Sequence, residues 1–499
     1  MLITALPLVY LVLRTVELGS SEIQELIFSA RSVSLLWNTA LLVISVAVTA
    51  MIIGFLQAWL IIRTDIRLKR IFTFFAILPF ALPSYVAALT WLTNFPGIRG
   101  FLPAWIILSL LTSPYVYLAV SAALVSQSSK QEEISRTLGL NAFETLIYVT
   151  WPNVRGAVLA GGLISALYTL SDFGAVSLVK YDTFTRAIYI AYRSSFDRNV
   201  AAALSLMLVL FAVLIYLTYK TFAQGETQSS TSQFASITKL GKFRHPAALL
   251  LSGLGFVGFI LPVLSLLRWQ FVGQSSADSG QVVRAAINTF GYAVSGGILI
   301  AIFSFVVAIL TARFKSRFSL ALERILWITH ALPGLVVALA LVYLSNRYAQ
   351  ITYQTSFIVI VAYLILFLPN SFAVLKNPLE KSSKALEEVA QSMGYAYRAV
   401  IFQLLLPLIR KPLFITASLA TLTIVKELPA TLLLRPTGIE TLATRLWNAA
   451  GGKEFAEASV YALIIILLAG IPTVILTLLQ LPRSSTTIAS REVNKEFIG

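Results

Sequence analysis

"EEISRTLGLNAFETLIYVTWP", residues 132–152, and "EEVAQSMGYAYRAVIFQLLLP", residues 387–407, are two copies of one polar, glycine-broken segment in an otherwise greasy chain. Glu133, Gly139 and Pro152 of the first fall on Glu388, Gly394 and Pro407 of the second, each pair 255 residues apart. Three matches at one offset in 499 residues mark an internal duplication. The duplication runs further. "ALPSYVAAL" at 81–89 aligns with "ALPGLVVAL" at 331–339, and Asn38-Thr39 with Asn288-Thr289, both at an offset of 250. Pro114 and Pro369 already stand 255 apart, so about five residues were inserted between the third and fourth spans of the second copy.

Composition sets the class. Charged residues make up 12% of the chain and hydrophobic residues 58%, against roughly 25% charged in soluble domains. Apolar runs of 18 or more residues recur along the length, the pattern of membrane-spanning helices rather than of one buried core. The net charge of +16 reads as inner loops enriched in Lys and Arg rather than as a nucleic-acid surface. With no cysteine, disulfides and thiolate metal sites are excluded.

The first half shows apolar spans near 35–62, 71–93, 101–126, 153–173 and 200–221. The second shows them near 247–267, 285–312, 325–344, 356–376, 408–428 and 455–481. Residues 1–13 are too short to cross the bilayer and lack the basic start and cleavage site of a signal peptide. "LPLVYLVLR" at 6–14 resembles "LPVLSLLR" at 261–268, the outer end of a full span. Residues 1–13 are therefore read as a shortened first span, or as a misassigned start. The expected fold is an all-α integral membrane protein of two parallel six-helix repeats, about 12 spans in all. An even number of spans per copy gives both copies the same orientation, unlike an inverted repeat.

The expected organisation is a shortened first span with its outer loop (1–34), a first multi-span domain (35–222) and a Ser/Thr/Gln-rich linker (223–246). A seventh span with its outer loop (247–284), a second multi-span domain (285–482) and a tail (483–499) follow. Arg63, Arg67, Lys69 and Arg70 in one short loop, and three basic residues in "RFKSR" at 313–317, orient both loops to the cytoplasm. The repeated segments, the linker and both chain ends are then cytoplasmic. The linker reads as a flexible tether.

Residues 132–138 and 142–150 are each suited to a short helix, with Gly139 turning the chain between them. Pro152 fits the first turn of the next span. The expected product is a helix–turn–helix at the inner membrane face; an amphipathic loop resting in the headgroups is the alternative.

A glutamate, small residues, a glycine six positions on and a proline thirteen beyond resembles the EAA loop of ATP-binding-cassette importer permeases, and the second copy fits more closely than the first. Ile134 and Ser135 stand where small residues are usual, and Trp151 precedes the proline. The resemblance covers nearly the whole chain and implies the type I importer permease fold. It also implies that Glu133, Gly139, Pro152, Glu388, Gly394 and Pro407 form two loops that couple to two copies of a cytoplasmic ATPase. The chain itself has no P-loop: Gly241-Lys242 and Gly452-Lys453 lack the first glycine and continue into Phe243 and Glu454. ATP is therefore expected on the partner subunit, and no catalytic constellation or cofactor is expected here. Only two histidines occur, His245 and His330, and neither forms a cluster that would hold a metal.

"SDFGAVSLVKYDTFTRAIY" at 171–189 and "KELPATLLLRPTGIETLA" at 426–443 look like the corresponding segments of fused, double-length ferric-iron permeases. That likeness implies a periplasmic ferric-iron-binding protein as partner and the bacterial inner membrane as location. Thiamine permeases share the fused architecture and stay open as an alternative. Asp172 and Glu427 lie 255 residues apart, each twenty past its loop proline, about 30 Å along a helix. Together with Lys426 they are candidates for an outer gate; the plainer reading is a helix end at the interface. An ion-coupled secondary transporter would want ionisable residues beside broken helices at mid-membrane. No acidic residue adjoins Pro83 or Pro333.

Overall fold

The computed structural model describes residues 2–126, 130–193, 198–222, 238–273, 277–314, 316–330, 332–382 and 384–480. Most of the linker, Ser230 included, and the 483–499 tail lie outside them. Among the described residues, nine helices are long and apolar enough to span a membrane, and a bent pair makes a tenth. Two shorter apolar helices, Leu6–Val16 and Gly334–Tyr348, occupy the places of the shortened first span and of the "ALPGLVVAL" segment.

The chain forms two compact units that interleave along the sequence. One gathers Leu36–Asp182, Phe211–Arg268 and Thr473–Gly499; the other gathers Met1–Leu35, Thr183–Leu210 and Trp269–Pro472. The body of each repeat is thus completed by the opening helix of the other repeat, so the contiguous sections read from sequence do not coincide with the compact units. Within the unit built on the first repeat, helix Arg244–Gly255 lies against helix Lys69–Ile77. Within the other, Tyr10 stacks obliquely on Tyr343 at 4.9 Å, and the Arg14 guanidinium sits 4.2 Å over the Tyr343 ring.

Membrane helices gain little from hydrophobic burial against one another and associate through close packing at small residues. Val116 of helix Phe101–Ser126 is the contact point in the first-repeat unit. A Cβ placed on Gly54 would lie 2.6 Å from the Val116 Cβ, and one on Gly161 would lie 2.5 Å from its Cα. Glycine at both positions lets helices Ala30–Arg63 and Trp151–Ser171 close on it from two sides.

Proline shapes these helices in two ways. Pro83 breaks what the sequence reads as one span at 71–93: helices Lys69–Ala81 and Ser84–Asn94 meet at 95°. Leu82, just before it, is extended (φ −92°, ψ 126°), as the clash with a following proline ring requires. In the second repeat Pro333 precedes helix Gly334–Tyr348 and separates it from helix Arg317–His330.

The second effect is milder. Four π turns, Leu146–Thr150, Phe256–Ile260, Val400–Leu405 and Ile466–Gly470, each end one residue before an X-Pro pair: Pro152, Pro262, Pro407 and Pro472. A proline inside a helix donates no N–H and crowds the carbonyl four residues back. A wider turn accommodates the missing bond without breaking the helix. This changes the expected loop. Residues 142–150 do not form a separate helix along the membrane face; they run through the π turn straight into the span, giving one apolar helix from Ala142 to Ser171. The second repeat does likewise from Tyr397 to Val425.

Candidate coupling loops and the paired carboxylates

Each repeated segment begins as a short helix, Lys130–Thr137 or Lys384–Ser392. Both are closed by the same Schellman turn. In the first, the Gly139 N–H donates to the Arg136 carbonyl at 3.0 Å and the Leu140 N–H to the Ser135 carbonyl at 3.1 Å. In the second, Gly394 donates to Gln391 at 2.9 Å and Tyr395 to Ala390 at 3.2 Å. Gly139 has φ +91° and Gly394 φ +89°, with open space where a Cβ would stand. Glycine is required there for its dihedral angle and not for room.

The two adjacent glutamates of each segment separate by face. Glu133 and Glu388 are exposed. Glu132 is 3% exposed, and its Oε1 lies 3.3 Å from Nε of Arg63, itself 2% exposed. Glu387 Oε1 lies 2.6 Å from Arg313 Nε, both side chains also buried. Neither contact has hydrogen-bond alignment; they are charge contacts on the short helix that opens each repeated segment. Arg63 also donates to the Leu124 carbonyl at 2.9 Å, and Thr150 donates to Glu132 Oε1 at 3.1 Å. Arg313 donates to the Ser382 hydroxyl. The helix that ends in the basic loop is thereby tied to the helix that carries the exposed glutamate. Sequence reading missed this pair. The signal for it was present: Arg63/Arg313 and Glu132/Glu387 recur at the duplication's own offsets of 250 and 255.

Pro152 and Pro407 sit at the second residue of their helices, just past the π turns. Around the outward glutamates, Ile134, Leu138 and Phe143 in the first loop and Leu386, Val389 and Met393 in the second are exposed apolar side chains. An exposed acidic residue and exposed apolar side chains on one short segment, presented twice, suit a protein-docking surface.

At the far end of the same helices, Asp172 and Glu427 have the same local task. Asp172 Oδ1 accepts from the Ala175 and Val176 N–H groups at 3.0 and 3.3 Å. Glu427 Oε1 accepts from Ala430 N–H at 2.8 Å, and its Oε2 from Thr431 N–H at 3.0 Å and from the Thr431 hydroxyl. Each carboxylate satisfies otherwise orphaned donors at the start of a short helix, Gly174–Leu178 or Pro429–Leu434, a favourable place for negative charge. Each short helix in turn packs on the helix that follows the proline break, Ser84–Asn94 or Gly334–Tyr348. Asp172 is buried, and Lys426 and Glu427 are half-buried. In each repeat the long helix thus runs from the glycine turn at one end to the capped short helix at the other. Among the described residues, no group of three or more His, Cys, Asp or Glu side chains is arranged to hold a metal ion.

Residues 50–227 and 301–481 each match the model of the binding-protein-dependent transport system inner membrane component. The chain belongs to that family. The double match follows the duplication seen in the sequence. A protein named Fe(3+)-transport system permease protein FbpB 2, from Haemophilus influenzae, is 34% identical over 94% of this chain and 95% of its own length. The ferric transport system permease protein FbpB of Actinobacillus pleuropneumoniae is 24% identical over 75% of this chain and 57% of its own. The sulfate transport system permease protein CysW of Escherichia coli is 24% identical over 36% of this chain and 66% of its own. The protein is therefore a multi-pass permease of the ATP-binding-cassette importer type, duplicated within one chain.

Proposed function

We propose that this permease imports ferric iron across the bacterial inner membrane, taking it from a periplasmic binding protein and drawing energy from two copies of a cytoplasmic ATPase. The iron reading rests on the full-length similarity to a permease named for Fe(3+) transport. The sulfate permease matches 36% of this chain, less than one repeat. ATP is bound by the partner, and this chain contributes no cofactor.

One observation carries the coupling reading: the helix–Schellman turn–helix is present twice, each time with an outward glutamate among exposed apolar side chains. Each copy seats one ATPase. Glu133 and Glu388 make the charged contact, Gly139 and Gly394 act as joints, and the rigid helices past Pro152 and Pro407 carry the movement to the proline breaks. There Asp172, Lys426 and Glu427 shape the outer gate. Ferric iron is a hard cation that favours oxygen ligands, and few, transient contacts suit passage better than a closed cage. The basic loops, linker and both chain ends face the cytoplasm.

Glu133→Lys with Glu388→Lys reverses charge at exposed positions, so the fold persists while ATPase co-purification falls. Undiminished co-purification and transport in the double variant overturn the coupling reading. A cysteine at Ser230, in this cysteine-free chain, reports the orientation: labelling by an impermeant thiol reagent in intact cells would reverse it.

A further inference from the structure

The linker's last residues do more than join the repeats. Thr238 forms an isolated parallel bridge with Thr64. The Thr238 N–H donates to the Arg63 carbonyl at 2.8 Å, and the Asp65 N–H donates back to the Thr238 carbonyl at 3.1 Å. Two residues on, the Leu240 N–H donates to Asp65 Oδ1 at 2.9 Å, and Arg244 pairs with Asp65 Oδ2. The Thr238 hydroxyl accepts from Arg136 Nη2 at 2.6 Å. Arg136 belongs to the first coupling helix, and Arg63 holds that helix's Glu132. Thr238 is thus bonded both to the inner loop and to the coupling helix.

The first loop is cross-tied within itself as well. Ser135 lies 3.2 Å from Thr145, hydroxyl to hydroxyl, across the glycine turn. Asn141 and Glu144 cap each other's backbone N–H groups at 2.8–3.0 Å. In the second repeat the positions of Ser135, Asn141, Glu144, Thr145 and Thr150 hold Ala390, Ala396, Ala399, Val400 and Leu405. None of these side chains has a polar atom, so the same ties are chemically impossible there.

We propose that residues Thr238 to Arg244 are a brace for the first coupling loop, and that the two coupling loops are mechanically unequal, the first stiff and the second compliant. Thr238 is a positioning residue acting through Arg136. The functional consequence rests on the coupling reading above; the stiffness does not. When both ATPases close, the second loop turns freely about Gly394, while the turn at Gly139 is restrained by the ties of the first loop to the linker end and the Arg63 loop.

Hydrogen exchange on the full-length permease in detergent, without ATPase, tests the brace directly. Thr238→Val keeps the shape and the backbone bridge but removes the acceptor for Arg136. Amides of residues 139–146 should then exchange about tenfold faster, the size expected for one lost charge-assisted bond, while Gln391→Val leaves 394–401 unchanged. Asp65→Asn keeps the Leu240 bond and drops the Arg244 charge, and should give a smaller rise in the same segment. Unchanged exchange in both Thr238→Val and Asp65→Asn, or a rise spread evenly over the chain, overturns the brace. In the assembled transporter, Thr238→Val should retain the ATPase while transport per ATP hydrolysed falls severalfold. Failure of the unaltered permease to hold an ATPase would sink the coupling reading and leave the exchange result intact.

Discussion

Arg63 and Glu132 meet at 3.3 Å with both side chains almost fully buried, and Arg313 and Glu387 repeat the contact at 2.6 Å in the second repeat. Each pair fastens the coupling helix to the end of the span that precedes the basic loop. Buried ion pairs add little net stability over an apolar replacement, but removing one partner strands a charge. Glu132→Leu or Glu387→Leu is expected to cost about 3–5 kcal/mol. Arg63→Met combined with Glu132→Leu should recover most of that. Thermal unfolding in detergent measures both; additive losses in the double variant would contradict a mutual pair.

Glutamate spacing to the glycine selects Glu133 and Glu388 as the residues of interest, and both face outward. Spacing alone does not tell which of two adjacent glutamates points inward, because neighbours on a helix differ by ~100°. The inward residue is decided by Arg63, 69 residues earlier in the chain, whose place in a basic loop gave it only a topological meaning. The span pattern and the duplication were legible because apolar length and repeated punctuation are local signals. The 95° break at Pro83 was only half legible: hydropathy runs through it unbroken, and proline alone does not distinguish a break from the π turns before Pro152 and Pro407. The brace at Thr238 was not legible, since nothing in a Ser/Thr-rich linker marks which threonine finds a partner.

Gly139→Ala and Gly394→Ala test the turns. Space is open at both, so the penalty is that of the left-handed backbone, about 1–2 kcal/mol. Transport should fall more than ATPase co-purification does. Equal and full activity of both alanine variants would mean that the turns are not joints.

The carboxylates at the proline breaks separate capping from cargo handling. Asp172→Asn and Glu427→Gln keep a side-chain oxygen for the backbone N–H groups and remove charge; Asp172→Ala removes the cap, at about 0.5–2 kcal/mol. If these residues guide a cation, iron uptake drops in the amide variants while melting temperature holds. Normal uptake in the double amide variant would reduce both residues to helix caps.

Asp65 lies in the basic loop, and the Leu240 N–H, with the Arg244 guanidinium, holds its carboxyl below the usual carboxylate range. A carboxyl lowered in the folded state stabilises above its unfolded value, about 4, and loses that contribution as pH falls through the lowered folded value. Lys69 and Arg244 are the cations facing it. Protection of the Leu240 amide, corrected for intrinsic exchange, should therefore hold at neutral pH and decline below about pH 4. Constant protection down to about pH 2 would mean that the linker end is held without Asp65.

The most direct measurement is uptake of radioactive ferric iron into proteoliposomes holding this permease with its ATPase, with the binding protein supplied outside. The account predicts iron accumulation that requires ATP and the binding protein, and that is abolished by Glu133→Lys with Glu388→Lys. No iron uptake by the unaltered complex, alongside ATP-driven uptake of thiamine or sulfate, would contradict it.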